Sequence, residues 1–124
     1  MGFAHTSITV LDMDASIAFY ERWLGMRLTN RRQIRSNRAD IAFLEDPETS
    51  ALIELTWWWD KRDWTEGDEL DHLAFHVADA AALVAEAREE GVEIAKEPYS
   101  LPDSTTTLAF LKDPNGIWIE LIQR

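Results

Sequence analysis

Residues 3–10 alternate between apolar and polar positions as a strand does, and they lead into a segment of about 14–24 in which Ile17, Tyr20 and Leu24 recur at helical spacing. Gly25 follows as a helix stop. A second strand-like stretch near 70–77 precedes a second helical one near 80–90, with Leu83, Val84 and Ala87 on its inward face and Gly91 as its C-terminal glycine. After each helix come three further strand-like runs, 26–34, 38–44 and 51–58 in the first half and 92–95, 105–112 and 117–123 in the second. Asp113-Pro114-Asn115-Gly116 predicts a tight turn between the last two.

The halves repeat one another. Ala42-Phe43-Leu44-Glu45-Asp46-Pro47 returns as Ala109-Phe110-Leu111-Lys112-Asp113-Pro114, an offset of 67 residues, and the same offset carries His5 onto His72, Val10 onto Val77 and Asp12 onto Asp79. Ile53-Glu54-Leu55 returns one residue closer as Ile119-Glu120-Leu121. Four blocks in the same order at nearly constant offset indicate duplication. They predict two βαβββ modules, about 1–66 and about 67–124, with no linker-like tract between them. The fold expected is α+β, a single domain over 1–124 whose two curved sheets close around a central cleft.

Composition narrows the function. With 46% hydrophobic and 28% charged residues the chain is of ordinary globular composition. No apolar run approaches a bilayer span and no signal-like segment opens the chain, so it is expected to be cytoplasmic and free of membrane. Met1-Gly2 with Thr6 fits the loose myristoylation pattern, but it runs straight into strand-like alternation and carries no weight. A formal charge of −11 disfavours nucleic acid, and the basic stretch Arg31, Arg32, Arg35 and Arg38 reads as a solvated hairpin. The chain has no cysteine, which removes disulfides, thiolate ligands and a thiol nucleophile. Any metal must sit on histidine, carboxylate or other oxygen ligands.

Side chains alternate along a strand, so His5 shares a face with Ser7 and Thr9, and Glu54 with Leu52, Thr56 and Trp58. By the same count His72 lies with Ala74 and His76, and Glu120 with Trp118 and Ile122. A lone histidine or glutamate on such a strand is usually a residue of the sheet rim. Packing has no reason to duplicate both types together, and duplication relates them as two His/Glu pairs. Two carboxylates about 4 Å apart without a cation would repel by about 4 kcal/mol at an effective dielectric of 20; a divalent ion removes that penalty. His76 reads instead as a core histidine or one that supports a ligand, because residues four apart in a strand are separated by about 13 Å. In the run Trp57-Trp58-Trp59 alternate members face opposite ways, so sheet packing, a dimer contact and an aromatic substrate wall all stay open.

His5-Thr6, Ile53-Glu54-Leu55-Thr56 followed by aromatics, His72 at the head of its strand, and Asp113-Pro114-Asn115-Gly116 leading to Ile119-Glu120-Leu121 resemble the short bacterial glyoxalase I enzymes of the vicinal-oxygen-chelate superfamily, over essentially the whole chain. The resemblance implies the glyoxalase/bleomycin resistance/dihydroxybiphenyl dioxygenase fold, with His5, Glu54, His72 and Glu120 holding one divalent metal ion, nickel or cobalt ahead of zinc. It also implies a homodimer in which His5 and Glu54 of one subunit meet His72 and Glu120 of the other. The implied reaction turns the hemithioacetal of a 2-oxoaldehyde and a low-molecular-weight thiol into a 2-hydroxyacyl thioester through an enediolate. Glu120 is the first choice for the base and Glu54 the base for the opposite face.

The chain departs from the family in three places. Thr9 stands where glutathione-using members have arginine, Trp58 stands near their asparagine, and Ser100-Leu101-Pro102-Asp103-Ser104 lacks their basic residue. Thr9 and Trp58 are therefore the candidate substrate-lining positions, and a thiol other than glutathione is expected. A metal-free, drug-sequestering protein of the bleomycin resistance type is the alternative from a different class. An epimerase or dioxygenase of the superfamily is another, although enzymes that cleave rings or transfer thiols use two His and one Glu, so Glu54 counts against them.

Overall fold

The computed structural model describes residues 1–63, 65, 67, 70–100, 102 and 104–124. It divides into two compact units, Met1–Glu66 and Gly67–Arg124, each built from one helix and one four-stranded sheet.

In the first unit, β1 (Thr6–Thr9) leads into α1 (Met13–Leu24), followed by β2 (Arg27–Ile34), a 3-10 turn at Arg35–Asn37, β3 (Ala39–Glu45) and β4 (Leu52–Trp58). Asp12 starts the helix by accepting the backbone N–H of Ala15 at 2.9 Å, and Gly25 ends it at φ 65°, a left-handed conformation that costs glycine least. The sheet order is β1-β4-β3-β2, with β1 parallel to β4 and the other pairs antiparallel. Register then sorts the two faces. Ile8, Leu55 and Ala42 lie side by side with Ile53 and Leu44, all buried, and α1 adds Met13, Ile17 and Tyr20 to this core. Ser7, Glu54 and Phe43 fall on the opposite face.

The second unit repeats the plan with β5 (Leu73–His76), α2 (Ala80–Glu89), β6 (Ile94–Ser100), β7 (Thr107–Lys112) and β8 (Trp118–Gln123), in the order β5-β8-β7-β6. Asp79 caps α2 through the N–H of Ala82 at 2.9 Å, as Asp12 caps α1. Val84 and Ala87 of the helix are buried, as are Ala109, Leu111, Ile119 and Leu121 of the sheet. Ala74, Glu120 and Phe110 share the other face. The turn at 113–116 is held by the Asp113 carboxylate, which accepts N–H groups from Asn115 and Ile117 at 2.8 Å each, and Gly116 takes φ 85°.

Some boundaries move. The first strand spans Thr6–Thr9 rather than 3–10, because its partner β4 begins at Leu52, one residue before Thr6's partner Ile53, and the ladder runs out there. The strand expected at 92–95 reaches Ser100. Its register shifts twice, between Ile94 and Lys96 and between Lys96 and Tyr99, which erases the alternation, and Pro98 sits within it because β6 is an edge strand. His76 is exposed at the end of β5 and is not a core histidine. The basic stretch is an exposed hairpin, as expected, though Arg31 contacts Asp14 of α1 at 2.6 Å and Arg38 grips Asp60 through two bonds of 2.6 and 2.9 Å. Within the loop Ser100–Ser104, Leu101 and Asp103 lie outside the described residues. Among the described residues no helix is long and apolar enough to cross a membrane.

Candidate metal centre

His5 immediately precedes β1 and His72 immediately precedes β5, so each imidazole stands at the mouth of its sheet beside the adjacent parallel strand. In the first unit His5 Nε2 lies 3.7 Å from Glu54 Oε2. In the second, His72 Nε2 lies 3.2 Å from Glu120 Oε2. The four side chains are partly buried: the histidines are 34% exposed, Glu54 19% and Glu120 15%. Within each unit the structure brings together the histidine and glutamate that the repeat singled out.

The 3.2 Å pair has the spacing of two donors to one cation, and the 3.7 Å pair lies about 0.3 Å beyond it. Ligands about 2.1 Å from a metal are about 3.0 Å apart at the right angle of an octahedral site and about 3.4 Å apart at the tetrahedral angle. An imidazole nitrogen and a carboxylate oxygen are moreover the donor types that nickel, cobalt and zinc accept in a site without thiolate. Asp71 Oδ1 lies 3.7 Å from the other ring nitrogen of His72, Nδ1, but among the described residues no group of three His, Asp or Glu is placed to hold a metal ion. Each unit therefore supplies two donors, fewer than the three or four protein ligands of an ordinary metal centre.

Each histidine is also held by an aromatic ring. His5 meets Phe43 edge-on, with centroids 5.2 Å apart and planes at 86°, and His72 meets Phe110 at 5.8 Å and 85°. Phe43 of β3 pairs in register with Glu54 and Phe110 of β7 with Glu120, so the strand next to each glutamate sets the ring that steadies the histidine. Sequence reasoning missed both phenylalanines as parts of the site. The signal was available, since they are separated by the same 67 residues as the histidines.

The glutamates differ in their surroundings. Glu54 Oε1 accepts hydrogen bonds from Ser7 Oγ at 2.9 Å and Thr56 Oγ1 at 3.1 Å. The residues at the matching positions around Glu120 are Ala74 and Ile122, which carry no donor.

Of the two expected substrate-lining positions, Thr9 pairs with Thr56 on the glutamate face of the first sheet, and Trp58 ends β4 on the same face, four residues beyond Glu54. Trp58 is 38% exposed. It lines an open cleft of about 500 Å³ with Asn37, Arg38, Asp60, Lys61 and Arg62. Trp59 turns the other way and donates its indole N–H to Asp40 at 2.8 Å, a packing role.

Known proteins share this plan. The family model for the glyoxalase/bleomycin resistance protein/dioxygenase superfamily matches residues 2–121. A probable lactoylglutathione lyase of Vibrio cholerae is 37% identical over 121 residues, covering 96% of this chain and 88% of its own. The solved structure of glyoxalase I from Zea mays superposes with a TM-score of 0.87 at 32% identity over 97% of this chain, which spans only 43% of the maize chain. The trypanothione-dependent glyoxalase I of Leishmania major gives a TM-score of 0.80 at 33% identity, covering 96% of this chain and 84% of its own. With its duplicated sheets and full-length likeness to lactoylglutathione lyases, the chain belongs to the glyoxalase/bleomycin resistance protein/dioxygenase superfamily and is a lactoylglutathione lyase-like enzyme.

Proposed function

We propose that the protein is a metal-dependent glyoxalase I-type isomerase, which converts the hemithioacetal of a 2-oxoaldehyde into a 2-hydroxyacyl thioester. The observation that carries this is the duplicated His/Glu pair, present once in each unit with imidazole and carboxylate 3.7 and 3.2 Å apart, at or near the spacing of two donors to a single divalent ion. Both units belong to one vicinal-oxygen-chelate domain, and His5, Glu54, His72 and Glu120 together hold the ion. In a homodimer, His5 and Glu54 of one subunit combine with His72 and Glu120 of its partner, which completes a four-ligand set that neither unit has alone. Nickel or cobalt is the preferred metal, with zinc behind them.

When bound, a divalent ion held by these residues would supply Lewis acidity to the substrate's oxygens. The residues do the rest. Glu120 takes the proton from the carbon that bears sulfur and hydroxyl and returns it to the neighbouring carbonyl carbon, while the hydroxyl proton passes between the two oxygens. The product is an isomer of the substrate, so no oxidant or reductant enters. Glu120 suits this because its carboxylate is 15% exposed and has no hydroxyl donor beside it at Ala74 or Ile122. Phe43 and Phe110 hold the imidazoles edge-on and limit their rotation.

The thiol is one other than glutathione. Thr9 and Trp58 line the glutamate face where glutathione-using relatives place arginine and asparagine. Each lost contact to the thiol's charged end costs roughly 1.5–3 kcal/mol, so both together lower catalytic efficiency with glutathione by about two orders of magnitude or more. The Leishmania major relative is trypanothione-dependent, which supports a reading with a thiol other than glutathione.

The test is to strip the protein of metal, add back nickel, cobalt or zinc, and follow thioester formation from methylglyoxal premixed with several thiols. Turnover that requires about one ion per subunit supports the proposal. A metal-free protein that binds aromatic cations tightly and turns over none of these substrates points to the drug-sequestering branch instead.

A further inference from the structure

In a duplicated site the two glutamates should be interchangeable, yet the sheets give them different neighbours. Register places Ser7 opposite Glu54 on the adjacent parallel strand and Ala74 opposite Glu120. Two residues further along the glutamate's own strand stand Thr56 in the first unit and Ile122 in the second. One carboxylate is therefore flanked by two hydroxyls, and the other by a methyl group and an aliphatic chain.

The hydroxyls act on a single atom. Ser7 and Thr56 both donate to Glu54 Oε1, and their oxygens lie 3.2 Å from each other, while Oε2 faces His5. Bonds from hydroxyls to an ionised carboxylate are short and strong, and two of them to one oxygen fix the plane of the group. Glu54 is left with one oxygen for a ligand. On Glu120, Oε2 faces His72, and the flanking side chains leave Oε1 without a donor.

We propose that Ser7 and Thr56 are positioning residues that divide labour between the two glutamates. They hold Glu54 as a fixed, one-oxygen ligand and keep it from carrying protons, whereas Ala74 and Ile122 leave the second oxygen of Glu120 free to do so. This rests on the assignment of His5 and Glu54 as metal ligands, and the experiment separates the two ideas.

Ser7→Ala, Ser7→Ala/Thr56→Val and Ala74→Ser are compared with wild type and with His5→Ala. Cobalt affinity is measured by competition with a chromophoric chelator, and kcat and KM are measured on the cobalt-loaded proteins. Ser7 is exposed, so Ser7→Ala tests the idea even if the variant at buried Thr56 folds poorly. The double variant is expected to bind cobalt about 10–100-fold more weakly, with Ser7→Ala moving the same way, whereas an added Ser7→Thr variant, which keeps the hydroxyl, should retain wild-type affinity. Ala74→Ser, which sets a hydroxyl beside Glu120, is expected to lower kcat while leaving KM unchanged and cobalt binding no weaker than in the wild type. If His5→Ala releases the metal but Ser7→Ala and the double variant bind it as tightly as wild type, the positioning role is wrong. Cobalt bound equally by wild type and His5→Ala would overturn the ligand assignment and this proposal together.

Discussion

Glu54 and Glu120 hold equivalent places in two copies of one strand but have different surroundings, which is the basis for proposing a separate task for each. If Glu120 carries the proton, Glu120→Gln should lose turnover by several orders of magnitude while metal stays largely bound, because an amide oxygen still coordinates but cannot act as a base near neutral pH. Metal analysis beside an activity assay checks this, and near-normal turnover would shift the role to Glu54. The duplication made the histidines and glutamates legible, since His5 and His72 and then Glu54 and Glu120 recur at nearly one offset. The hydroxyl pair on Glu54 was not legible. It depends on the register of Ser7 against Glu54, 47 residues away in sequence, which alternation within a single strand does not specify.

The elements that position these side chains begin and end on a few polar residues. Asp12 and Asp79, which the repeat paired without assigning a role, are the N-caps of α1 and α2. Replacing either with Ala should lower stability by about 0.5–2 kcal/mol in a urea titration, with little change in metal binding. Helices and most strands were legible because one face of each is buried, as the full burial of Leu44, Leu55, Leu111 and Leu121 shows. β6 was not, because its two register shifts and Pro98 break the period that reveals a strand. Beyond β4, Arg38 clasps Asp60, and the guanidinium's hydrogen bonds hold that carboxylate below its usual range. A depressed carboxylate stabilises the fold above the ordinary carboxylate pKa of about 4, and the contribution fades as pH falls through the lowered value. Asp60→Asn should therefore be slightly less stable than wild type at neutral pH, and the gap should close in acid. Both residues are exposed, so the difference will be small.

At the scale of the whole molecule, one βαβββ plan occurs twice, and each copy offers a histidine, a glutamate and a supporting phenylalanine. A pair of donors is too few for a metal centre, so in the proposed site two such pairs combine across a dimer interface. In the proposed reading, substrate choice lies with the departures at Thr9 and Trp58. Thr9→Arg should raise efficiency with the glutathione hemithioacetal of methylglyoxal above the low value expected for the wild type, whereas high wild-type efficiency would end the case for another thiol. The proposed shared site can be tested by assembling heterodimers from two inactive chains. His5→Ala bearing one affinity tag is co-expressed with Glu120→Gln bearing another, and the doubly tagged dimer is isolated and assayed with added metal. If the site is shared as proposed, one of its two sites is free of mutations and the other carries both, so the heterodimer should regain about half of wild-type activity. Activity no higher than that of either mutant homodimer would contradict the account.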